Sequence, residues 1–427
     1  MEIEMGKKAL KILHFADAHI DIAQQGKHDA ASGLPVRVVD FLKALDTIID
    51  AAISEKVDLV LFAGDAYKDR LPAPTFQREW GRRIMRLSNA KIPTLLLVGN
   101  HDLSPASGRA HTLQEFDTLE VPNVRVLGKP EFLKPADLWG LPLQVLALPW
   151  VFRSNLMATL DLTGADAEKI NEELEVRLTE ILQEWMSQLD PALPTILVAH
   201  GSVQGALYGN ERTVMLGKDI VFPGSLVKDP RLDYVALGHI HKHQDLNPGA
   251  HPPVVYSGSI ERVDFGEAAD DKYYIIASVQ KGKTTYTAKK LDGRKFIDKF
   301  ISVKNRDEMI GKVSDVLPSP KQLKDAIFRL TVEYPRDLDM FLDEPLLREH
   351  CASALEFHLV RRPLEEARLR LPSGEAMTSL SPLQLLDSYW KSTHTEPGET
   401  ETLQTLASSI IQSVEGEVEI LQTGDNS

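Results

Sequence analysis

Five short apolar segments in this 427-residue chain each run directly into glycine, aspartate or histidine, and this pattern limits the possible folds. The clearest segment is Thr94–Val98, which is followed by Gly-Asn-His-Asp from Gly99 to Asp102. A short apolar run that stops in this way predicts a strand buried on both faces. Because open α/β sheets bind ligands at the carboxyl ends of their strands, we expect the polar groups after these strands to share one site.

The other four segments supply side chains that suit a metal centre. Strands are predicted over residues 11–16, 57–63, 195–199 and 233–237, and the polar residues after them are, in order, Asp17 and His19, Asp65, His200, and His239 with His241. Together with Asn100 and His101, the five strand ends offer two aspartates, one asparagine and five histidines. Oxygen and nitrogen donors without sulfur favour Mn²⁺, iron or Zn²⁺ over Mg²⁺, and their number suggests two divalent ions.

Asp65 is the expected bridge between the two ions. Ions about 3.5–4 Å apart need a bridging carboxylate, and Asp65 lies in the middle of the ligand series, directly after a glycine. His101 follows a ligand and is not needed as one, so we predict that it acts as a general acid or stabilises the transition state. The other predicted ligands form two groups, one for each ion. Asp17 and His19 belong to the first group, and Asn100 and His200 belong to the second. Each group also takes one of the two histidines of Gly-His-Ile-His.

Each of these fragments has a simpler structural explanation when it is taken alone. An Asp-x-His after a strand is more often a helix cap or a loop contact, and Asn-His-Asp is a good turn sequence. A single histidine such as His200 can be a hydrogen-bonded interior residue. The occurrence of all five fragments in order, each after an apolar strand, favours the metal centre.

The spacing of apolar residues predicts an α/β fold. A helix with one apolar face spans Val36–Ser54, and a second helix begins near Pro74 with Thr75 as its N-cap. With the strands around them these helices form a β-α-β-α-β unit, which implies parallel strands and right-handed crossovers. Strands at 254–256, 273–278 and 284–291 would close a second sheet. The architecture that fits is two facing mixed β-sheets flanked by helices, with the site on their shared rim.

We expect three domains. Residues 9–296 carry the predicted site, residues 297–372 form a small α+β module, and residues 373–427 form a helical tail. The tail has short helices starting near Ser381 and Thr402, separated by a polar linker over residues 393–398. The tail is striped with apolar residues that suit a hydrophobic groove on a partner: Leu385, Leu386, Tyr389 and Trp390.

The net charge of −14 argues at first against a nucleic-acid partner. Half of that charge lies in the tail, because residues 381–427 carry eight acidic residues and one lysine. Metal ions would also neutralise the ligand carboxylates. A basic cluster follows Asp65 and is either a solvated helix face or a contact for DNA: Lys68, Arg70, Arg78, Arg82, Arg83 and Arg86.

Composition predicts a cytoplasmic protein with no membrane partner. Cys351 is the only cysteine, so an intrachain disulfide is impossible. No apolar run reaches the roughly 18 residues that span a bilayer. The segment Met1–Lys8 is charged and has no apolar core of the kind that signal peptides carry.

The motifs at the strand ends resemble the signature of the calcineurin-like metallophosphoesterase superfamily. That signature is Asp-x-His, Gly-Asp, Gly-Asn-His-Asp/Glu, His and Gly-His-x-His, and it covers about Leu10–Gly266 here. Within the superfamily the chain is most similar to the SbcD-type DNA repair nucleases, whose archaeal and eukaryotic counterpart is the meiotic-recombination-eleven nuclease. Three features carry this similarity: the opening Lys-Ile-Leu-His-Phe-Ala-Asp, the segment Tyr-Ser-Gly-Ser-Ile-Glu-Arg over residues 256–262, and the module and tail that follow.

The resemblance implies a function, a cofactor and a partner. The chain would be the nuclease component of a Mn²⁺-dependent DNA exonuclease and endonuclease that acts on double-stranded ends and hairpins in double-strand break repair. The module over residues 297–372 would be a capping domain on the DNA side. The tail would dock on the coiled-coil base of an SMC-like ATPase of the SbcC type, with a homodimer of the chain inside a heterotetramer.

The resemblance also implies residue roles, with one departure. Many nucleases of the archaeal and eukaryotic branch have a second histidine where this chain has Lys68, and Lys68 can stabilise phosphate charge instead. His101 matches the catalytic histidine. The implied ligands of one manganese ion are Asp17, His19, Asp65 and His241, those of the other are Asp65, Asn100, His200 and His239, and the predicted substrate contacts are Lys68, Arg70, Ser257 and Ser259.

Two other functions fit the same motifs. A phosphatase or cyclic-nucleotide phosphodiesterase can use the same scaffold and metal pair, because the fold does not choose the substrate. The residues after Ile297 argue against it, since a hydrolase of small substrates has little use for a cap and a partner-binding tail. A non-catalytic DNA-tethering scaffold is the third possibility, and the intact ligand set argues against that.

Overall fold

A computed structural model describes residues 9–22, 26–103, 109–150, 167–208, 221–364, 381–392 and 396–423. These residues form two compact units. The first comprises the described residues of Met1–Asp298 with Lys321–Phe328 and Ser353–Glu356. The second comprises Lys299–Pro320, Arg329–Ala352 and the described residues of Phe357–Ser427. The division into domains at residues 296 and 372 stays a prediction.

The first unit contains two six-stranded mixed sheets. Sheet one has the order β14-β13-β1-β2-β3-β4, in which β1 to β4 are parallel, β13 runs antiparallel to β1, and β14 runs antiparallel to β13. Its strands are β1 (Leu10–Phe15), β2 (Leu59–Phe62), β3 (Thr94–Leu97), β4 (Val124–Leu127), β13 (Lys272–Gln280) and β14 (Lys283–Leu291).

Sheet two is also a mixed sheet of six strands. Its order is β11-β12-β10-β7-β6-β5, with four parallel strands in the centre and an antiparallel strand at each edge. Its strands are β5 (Glu131–Leu133), β6 (Gln144–Leu148), β7 (Thr195–His200), β10 (Tyr234–Gly238), β11 (Gln244–Asp245) and β12 (Val254–Tyr256). A two-stranded parallel sheet is formed by β8 (Ser202–Val203) and β9 (Val221–Phe222).

The prediction that residues 273–278 and 284–291 join the second sheet is wrong. They lie in β13 and β14, and β13 pairs antiparallel with β1 from Leu10↔Val279 to His14↔Ile275. A period-two pattern identifies a strand but not its neighbour, because the neighbour is chosen by packing between distant segments. The predicted architecture of two mixed sheets flanked by helices is confirmed.

Alternate side chains of the parallel strands enter different cores, which explains why these strands are apolar throughout. In β1, Leu13 and Phe15 belong to the core on the helix side of sheet one. Ile12 belongs to the core between the sheets, with Val198 and Ala236 of sheet two. The two sheets therefore face each other across a shared apolar layer, and the carboxyl ends of their parallel strands lie along one rim.

Helices cover the outer faces of the sheets. Those of the first unit are α1 (Val36–Ser54), α2 (Pro74–Asn89), α3 (Gln114–Thr118), α4 (Ala167–Ser187) and α5 (Gly224–Val227). The bounds predicted for α1 are confirmed. The predicted N-cap at Thr75 is wrong, because the helix begins at Pro74 and its N-cap is Ala73, which has no side-chain cap. Proline suits that first position because it has no N–H to leave unpaired.

The arginines of α2 are paired with carboxylates. Glu79 contacts Arg78 and Arg82 at 3.0 Å and Arg83 at 3.1 Å. Arg83 and Arg86 also reach Asp46 of α1 at 2.7 and 2.8 Å. These ion pairs join two helices, which supports the structural explanation of the basic helix face over contact with DNA.

The remaining elements follow the second sheet along the chain. A three-stranded sheet has the order β15-β16-β17, formed by β15 (Phe296–Ser302), β16 (Ile327–Pro335) and β17 (Glu356–Leu364). The helices are α6 (Arg306–Val316), α7 (Pro320–Leu323), α8 (Glu344–His350), α9 (Pro382–Ser392) and α10 (Pro397–Thr423). Within the described residues, no helix has the length and apolar composition that a membrane span needs.

The tail differs from its prediction in one respect. Helix α9 begins at Pro382 as expected, and Ser381 caps it by accepting a hydrogen bond from the Gln384 N–H. Helix α10 has 27 residues and begins at Pro397, so the prediction of a short helix starting at Thr402 is wrong. Pro397 is at a position where proline starts a helix, and Glu399 lies in the first turn, where an acidic side chain is favoured. Residues 393–395 of the predicted linker lie outside the described residues.

Trp80 provides a test of the packing between α2 and sheet one. Its side chain is fully buried, and its ring centroid lies 4.9 Å from that of Phe62 and 6.2 Å from that of Tyr67. Trp80→Ala should lower the free energy of unfolding by about 3–5 kcal/mol, because it leaves a cavity in the core. The control Leu119→Ala, at a residue 73% exposed, should change it by no more than about 0.5 kcal/mol. Equal effects of both variants in denaturant titrations would contradict this packing.

Candidate metal centre

The loops after β1 and β2 run side by side and carry the first predicted ligands. The Asp17 N–H donates to the Gly64 carbonyl at 2.9 Å, and the Ala18 N–H donates to the Asp65 carbonyl at 2.8 Å. The φ angles of Asp17, His19 and Asp65 are 50°, 37° and 63°, in the left-handed region that non-glycine residues rarely adopt. Such strain is typical of functional sites, because the surrounding structure has to hold it.

Asp102 joins the loop after β2 to the loop after β3. Its carboxylate accepts hydrogen bonds from the N–H groups of Asp65 and Gly99 at 2.9 Å and of Ala66 at 3.0 Å. Burial and the nearby Asp65 carboxylate raise the pKa of Asp102 to about 6, although these hydrogen bonds oppose the shift. The last residue of Gly-Asn-His-Asp therefore holds together the two loops that carry Asp65 and Asn100.

Sheet two adds its ligands from the ends of β7 and β10. Gly238 pairs with His200 in the parallel register of these strands, and the His239 N–H donates to both carboxylate oxygens of Asp17 at 3.1 Å. A side chain at Gly238 would collide with the Ala63 carbonyl oxygen of the loop after β2. Glycine is needed there because the two sheets approach each other closely at this rim.

The two histidines of Gly-His-Ile-His face different partners. His239 has a φ of 100°, which breaks the strand and turns the chain. The Nδ1 atom of His239 lies 3.1 Å from Asn100 Oδ1, whereas the Nε2 atom of His241 lies 3.1 Å from His19 Nε2. In a regular strand, residues two apart share one face, so this backbone irregularity separates them.

The structure brings together all seven predicted ligands. The donor atoms of Asp17, His19 and His241 lie within 4.8 Å of one another. The same holds for Asp17, Asp65 and His200. Asn100 joins the second group, because its Oδ1 lies 3.0 Å from His200 Nε2. Asp65 Oδ2 lies between the groups, 3.4 Å from His200 Nε2 and 4.0 Å from His19 Nε2.

The donor set fits divalent metal ions. His200 Nδ1 lies 2.7 Å from the Ala63 carbonyl oxygen, so it carries the ring proton when the imidazole is neutral. His200 Nε2 then presents a lone pair to the oxygens of Asn100 and Asp65, a repulsive arrangement unless a cation lies among them. His19 shows the same pattern, since its Nδ1 faces the Tyr67 carbonyl at 3.2 Å and its Nε2 faces another imidazole nitrogen.

The charges of this buried cluster depend on one another. Burial opposes a charged imidazole, but Asp65 and Asp17 raise the pKa of His200 to about 9. Burial likewise opposes a charged Asp65, but His200 and His101 lower the pKa of that carboxyl. Burial lowers the pKa of His19 well below its usual range, and His241 adds to this effect. The carboxylates therefore need positive charge close by, as a proton or a metal ion, and metal binding would displace protons.

His101 lies at the open side of the cluster. Its backbone N–H donates to Asp65 Oδ1 at 2.8 Å, and its Nδ1 lies 2.6 Å from the Lys68 carbonyl oxygen. The ring centroid is 5.2 Å from that of His19. A cavity of about 650 Å³ opens beside His101 and is also lined by Asp21, Lys68 and Arg70. The Lys68 side chain is exposed there.

The two predicted serine contacts lie elsewhere. Ser257 and Ser259 are fully buried, so a DNA strand has no access to them in this structure. The Ser257 hydroxyl donates to the Gly258 carbonyl. The Ser259 hydroxyl lies 2.8 Å from Lys272 Nζ and 3.3 Å from Glu267 Oε2, inside a buried polar network.

Three residues near the ligands were missed by sequence reasoning. The Trp150 ring centroid lies 5.0 Å from that of His239. Trp150 follows the apolar strand β6, so the rule used for the other strand ends could have found it. Glu267 Oε1 lies 2.8 Å from His241 Nδ1, and Lys272 Nζ lies 2.6 Å from Glu267 Oε2. Although burial opposes its charge, His241 and Lys272 lower the pKa of Glu267. Neither Glu267 nor Lys272 belongs to a motif, so no sequence signal pointed to either residue.

Gly99 provides a test of how closely the loops must approach. A Cβ atom at Gly99 would fall on the Asp65 carboxylate. Gly99→Ala should therefore displace Asp65, lower the amount of metal bound per chain and destabilise the protein by about 1–3 kcal/mol. Gly311→Ala is the matched control, since a Cβ atom there meets nothing within 4 Å. Unchanged metal content in Gly99→Ala, measured by elemental analysis, would contradict the close packing described for these loops.

Comparison with known proteins agrees with the strand-end motifs. The family model for calcineurin-like phosphoesterases matches residues 10–243, more than half of the chain. The SbcD subunit of the nuclease SbcCD from Escherichia coli (strain K12) is 25% identical over 282 residues, which cover 64% of this chain and 66% of that protein. The SbcD subunit from Rhodobacter capsulatus is 30% identical over 266 residues, 58% of this chain and 62% of that protein.

An archaeal protein shows a similar likeness. The DNA double-strand break repair protein Mre11 of Methanosarcina acetivorans is 26% identical over 277 residues, 64% of this chain and 38% of that protein. The chain thus spans just under two thirds of the length of the Escherichia coli relative and less of the other two. The match to the family model covers the candidate metal ligands, since it runs from residue 10 to residue 243. By the match of its family model and the donors gathered at its strand ends, the chain belongs to the calcineurin-like phosphoesterase family.

Proposed function

We propose that this chain is a DNA nuclease that hydrolyses phosphodiester bonds with two divalent metal ions, which we assign as Mn²⁺. The observation that carries the proposal is the buried cluster of aspartates, histidines and Asn100 at five strand ends, with His101 at its open side. The relatives named as SbcCD and Mre11 proteins support DNA as the substrate class. The proposed activities are exonuclease and endonuclease cleavage at double-stranded ends and hairpins during double-strand break repair.

The ligands divide between the two ions as follows. Asp65 is the proposed bridge, because its Oδ2 lies between His19 Nε2 and His200 Nε2. His241 goes with the first ion, since its Nε2 faces His19, and His239 goes with the second, since its Nδ1 faces Asn100. The two proposed ligand sets are Asp17, His19, Asp65 and His241 for the first ion, and Asp65, Asn100, His200 and His239 for the second.

The side chains around the ions have separate tasks. When bound, a pair of divalent ions activates the attacking water and neutralises charge on the phosphoryl group. His101 Nδ1 lies on the Lys68 carbonyl, so the proton given to the leaving oxygen has to come from Nε2, and the imidazolium form of His101 is the one that can act as the general acid. Lys68 and Arg70 line the cavity beside His101 and would hold the charged backbone of a DNA strand there.

The proposed partner is an SMC-like ATPase of the SbcC type, with two copies of the chain in the assembly. The relatives named as the SbcD subunit of SbcCD support this partner. The second unit supports a docking role for the tail, because Leu406 and Ile410 of α10 are 55% and 54% exposed. Trp390 is 8% exposed and so packs within the described chain. The segment over residues 297–372 is the proposed capping domain.

A cleavage assay with matched substrates tests the proposal. Duplex ends, hairpins and small phosphate esters should be incubated with Mn²⁺ or Mg²⁺, with and without a co-expressed SMC-like ATPase. We expect Mn²⁺-dependent cleavage of DNA that the ATPase and ATP increase. Rapid hydrolysis of phosphate monoesters or cyclic nucleotides with no cleavage of DNA would replace the nuclease by a small-substrate hydrolase.

His101→Ala should separate catalysis from metal binding. We expect both ions to stay bound and the rate of cleavage to fall by roughly 10²–10⁴, the range for a positioned proton donor. Asp65→Asn is the companion variant, and it should lose metal and activity together. Elemental analysis and single-turnover cleavage measure the two effects. Loss of metal from His101→Ala would make His101 a ligand and its catalytic role wrong.

Substitutions on α10 should separate partner binding from catalysis. Leu406→Asp or Ile410→Asp places a charge on an exposed apolar stripe and should weaken binding to the ATPase by roughly 30-fold, the effect of losing about 2 kcal/mol at a hot spot. Thr405→Asp adds the same charge beside the stripe and should bind normally. Truncation after Gly374 should abolish co-purification and leave Mn²⁺ binding intact. If the truncated chain still binds the ATPase, another part of the protein carries the docking surface.

A further inference from the structure

The histidines of the cluster differ in what holds their second ring nitrogen. The Nδ1 atoms of His19 and His200 face the backbone carbonyls of Tyr67 and Ala63 at 3.2 and 2.7 Å. The Nδ1 atom of His241 instead faces the carboxylate of Glu267 at 2.8 Å. A carbonyl and a carboxylate both accept the Nδ1 proton and leave Nε2 free for a metal ion. The carboxylate also carries a negative charge, which makes the imidazole a stronger electron donor.

Glu267 is held in place by more than this one contact. It ends a 3₁₀ turn at Phe265–Glu267, and its side chain is 5% exposed. Its other oxygen, Oε2, accepts hydrogen bonds from Lys272 Nζ at 2.6 Å and from the Val263 N–H at 3.0 Å. Both carboxylate oxygens are therefore engaged, and the carboxylate cannot turn away from His241 without breaking buried hydrogen bonds.

Lys272 connects the carboxylate to the loop that carries His241. Its side chain is 1% exposed, and its Nζ donates to the His241 carbonyl at 3.1 Å as well as to Glu267. Replacing a buried ion pair of this kind with apolar residues is often neutral or stabilising, so stability alone is a weak reason for it. The geometry of the Lys272–Glu267 pair has a clearer consequence, since Glu267 holds the ring of His241 and Lys272 holds its backbone carbonyl.

We propose that Glu267, backed by Lys272, is a positioning residue that orients His241 and strengthens it as a ligand of the ion shared with Asp17 and His19. The inference rests on the proposed two-metal function. This role of Glu267 makes the two metal positions unequal. His241, on the side of the first ion, is held by a carboxylate, whereas His200, on the side of the second ion, is held by a backbone carbonyl. The position next to His241 should owe part of its affinity to Glu267.

Stepwise Mn²⁺ binding provides the test and does not depend on DNA cleavage. In calorimetry with the purified full chain, the wild type should bind two ions. Glu267→Ala should weaken one of them by about 10–100-fold, the usual cost of losing a carboxylate behind a metal-bound histidine. The second ion should keep its affinity. At two equivalents of Mn²⁺, electron paramagnetic resonance should show a coupled pair in the wild type and isolated ions in the variant.

Two further variants separate positioning from folding. Glu267→Gln keeps an oxygen that can accept from His241 Nδ1 but removes the charge, so the same ion should be weakened by a smaller factor. Glu261→Gln is the matched control, because Glu261 is equally buried and accepts from the backbone N–H groups of Arg262 and Arg294, away from the ligands. It should bind both ions as the wild type does.

The possible results are distinct. If Glu267→Ala weakens both ions equally, or if either Glu267 variant binds both ions as the wild type does, the inference is overturned. Weakening of one ion by Glu261→Gln as well would also overturn it, since any buried carboxylate would then have the same effect. A wild-type chain that binds fewer than two ions would contradict the proposed two-metal function itself.

Discussion

The buried carboxylate of Asp102 is the contact on which the site depends. It accepts hydrogen bonds from backbone N–H groups on two loops, those of Asp65 and Ala66 after one strand and that of Gly99 after the next. Buried N–H groups without partners would be costly, so this single carboxylate both satisfies them and sets the spacing of the loops. Gly99 packs directly against Asp65, which limits the space in which the central carboxylate of the cluster can move.

The site also depends on a charge balance that bound protons or metal ions have to complete. Two buried aspartates, four buried or half-buried histidines and an asparagine point their donor atoms at one another. Isolated charges are very costly to bury, and lone pairs that face each other repel. The core between the two sheets and the core beneath α1 and α2 provide the rigid frame that can hold such an arrangement. The left-handed backbone at Asp17, His19 and Asp65 shows that the frame also holds local strain.

Charged residues serve two different purposes in the first unit. The arginines of α2 pair with Glu79 and with carboxylates of α1, so they join two helices at the surface. Lys272 and Glu267 form a pair that is almost fully buried and contacts a predicted ligand. The arginines of α2 form a recognisable basic cluster in the sequence, and the structure explains them as ion pairs between helices. Glu267 and Lys272 belong to no sequence motif, yet their ion pair lies next to the candidate metal centre.

The strand ends and the donor side chains that follow them could be predicted from the sequence, because apolar runs that stop at Gly-Asp or Gly-Asn-His-Asp report local backbone behaviour. The same local signals located α1 and the start of α9. They could not assign β13 and β14 to their sheet, since the partner of a strand is a contact between distant residues. Nor could they decide which of His239 and His241 faces which group of donors, because that depends on a left-handed φ at His239. The sequence by itself determined which donors would gather at one rim. Tertiary structure alone decided how they face each other, which serines are buried and which carboxylate holds His241, because these depend on distances between segments that are far apart in the chain.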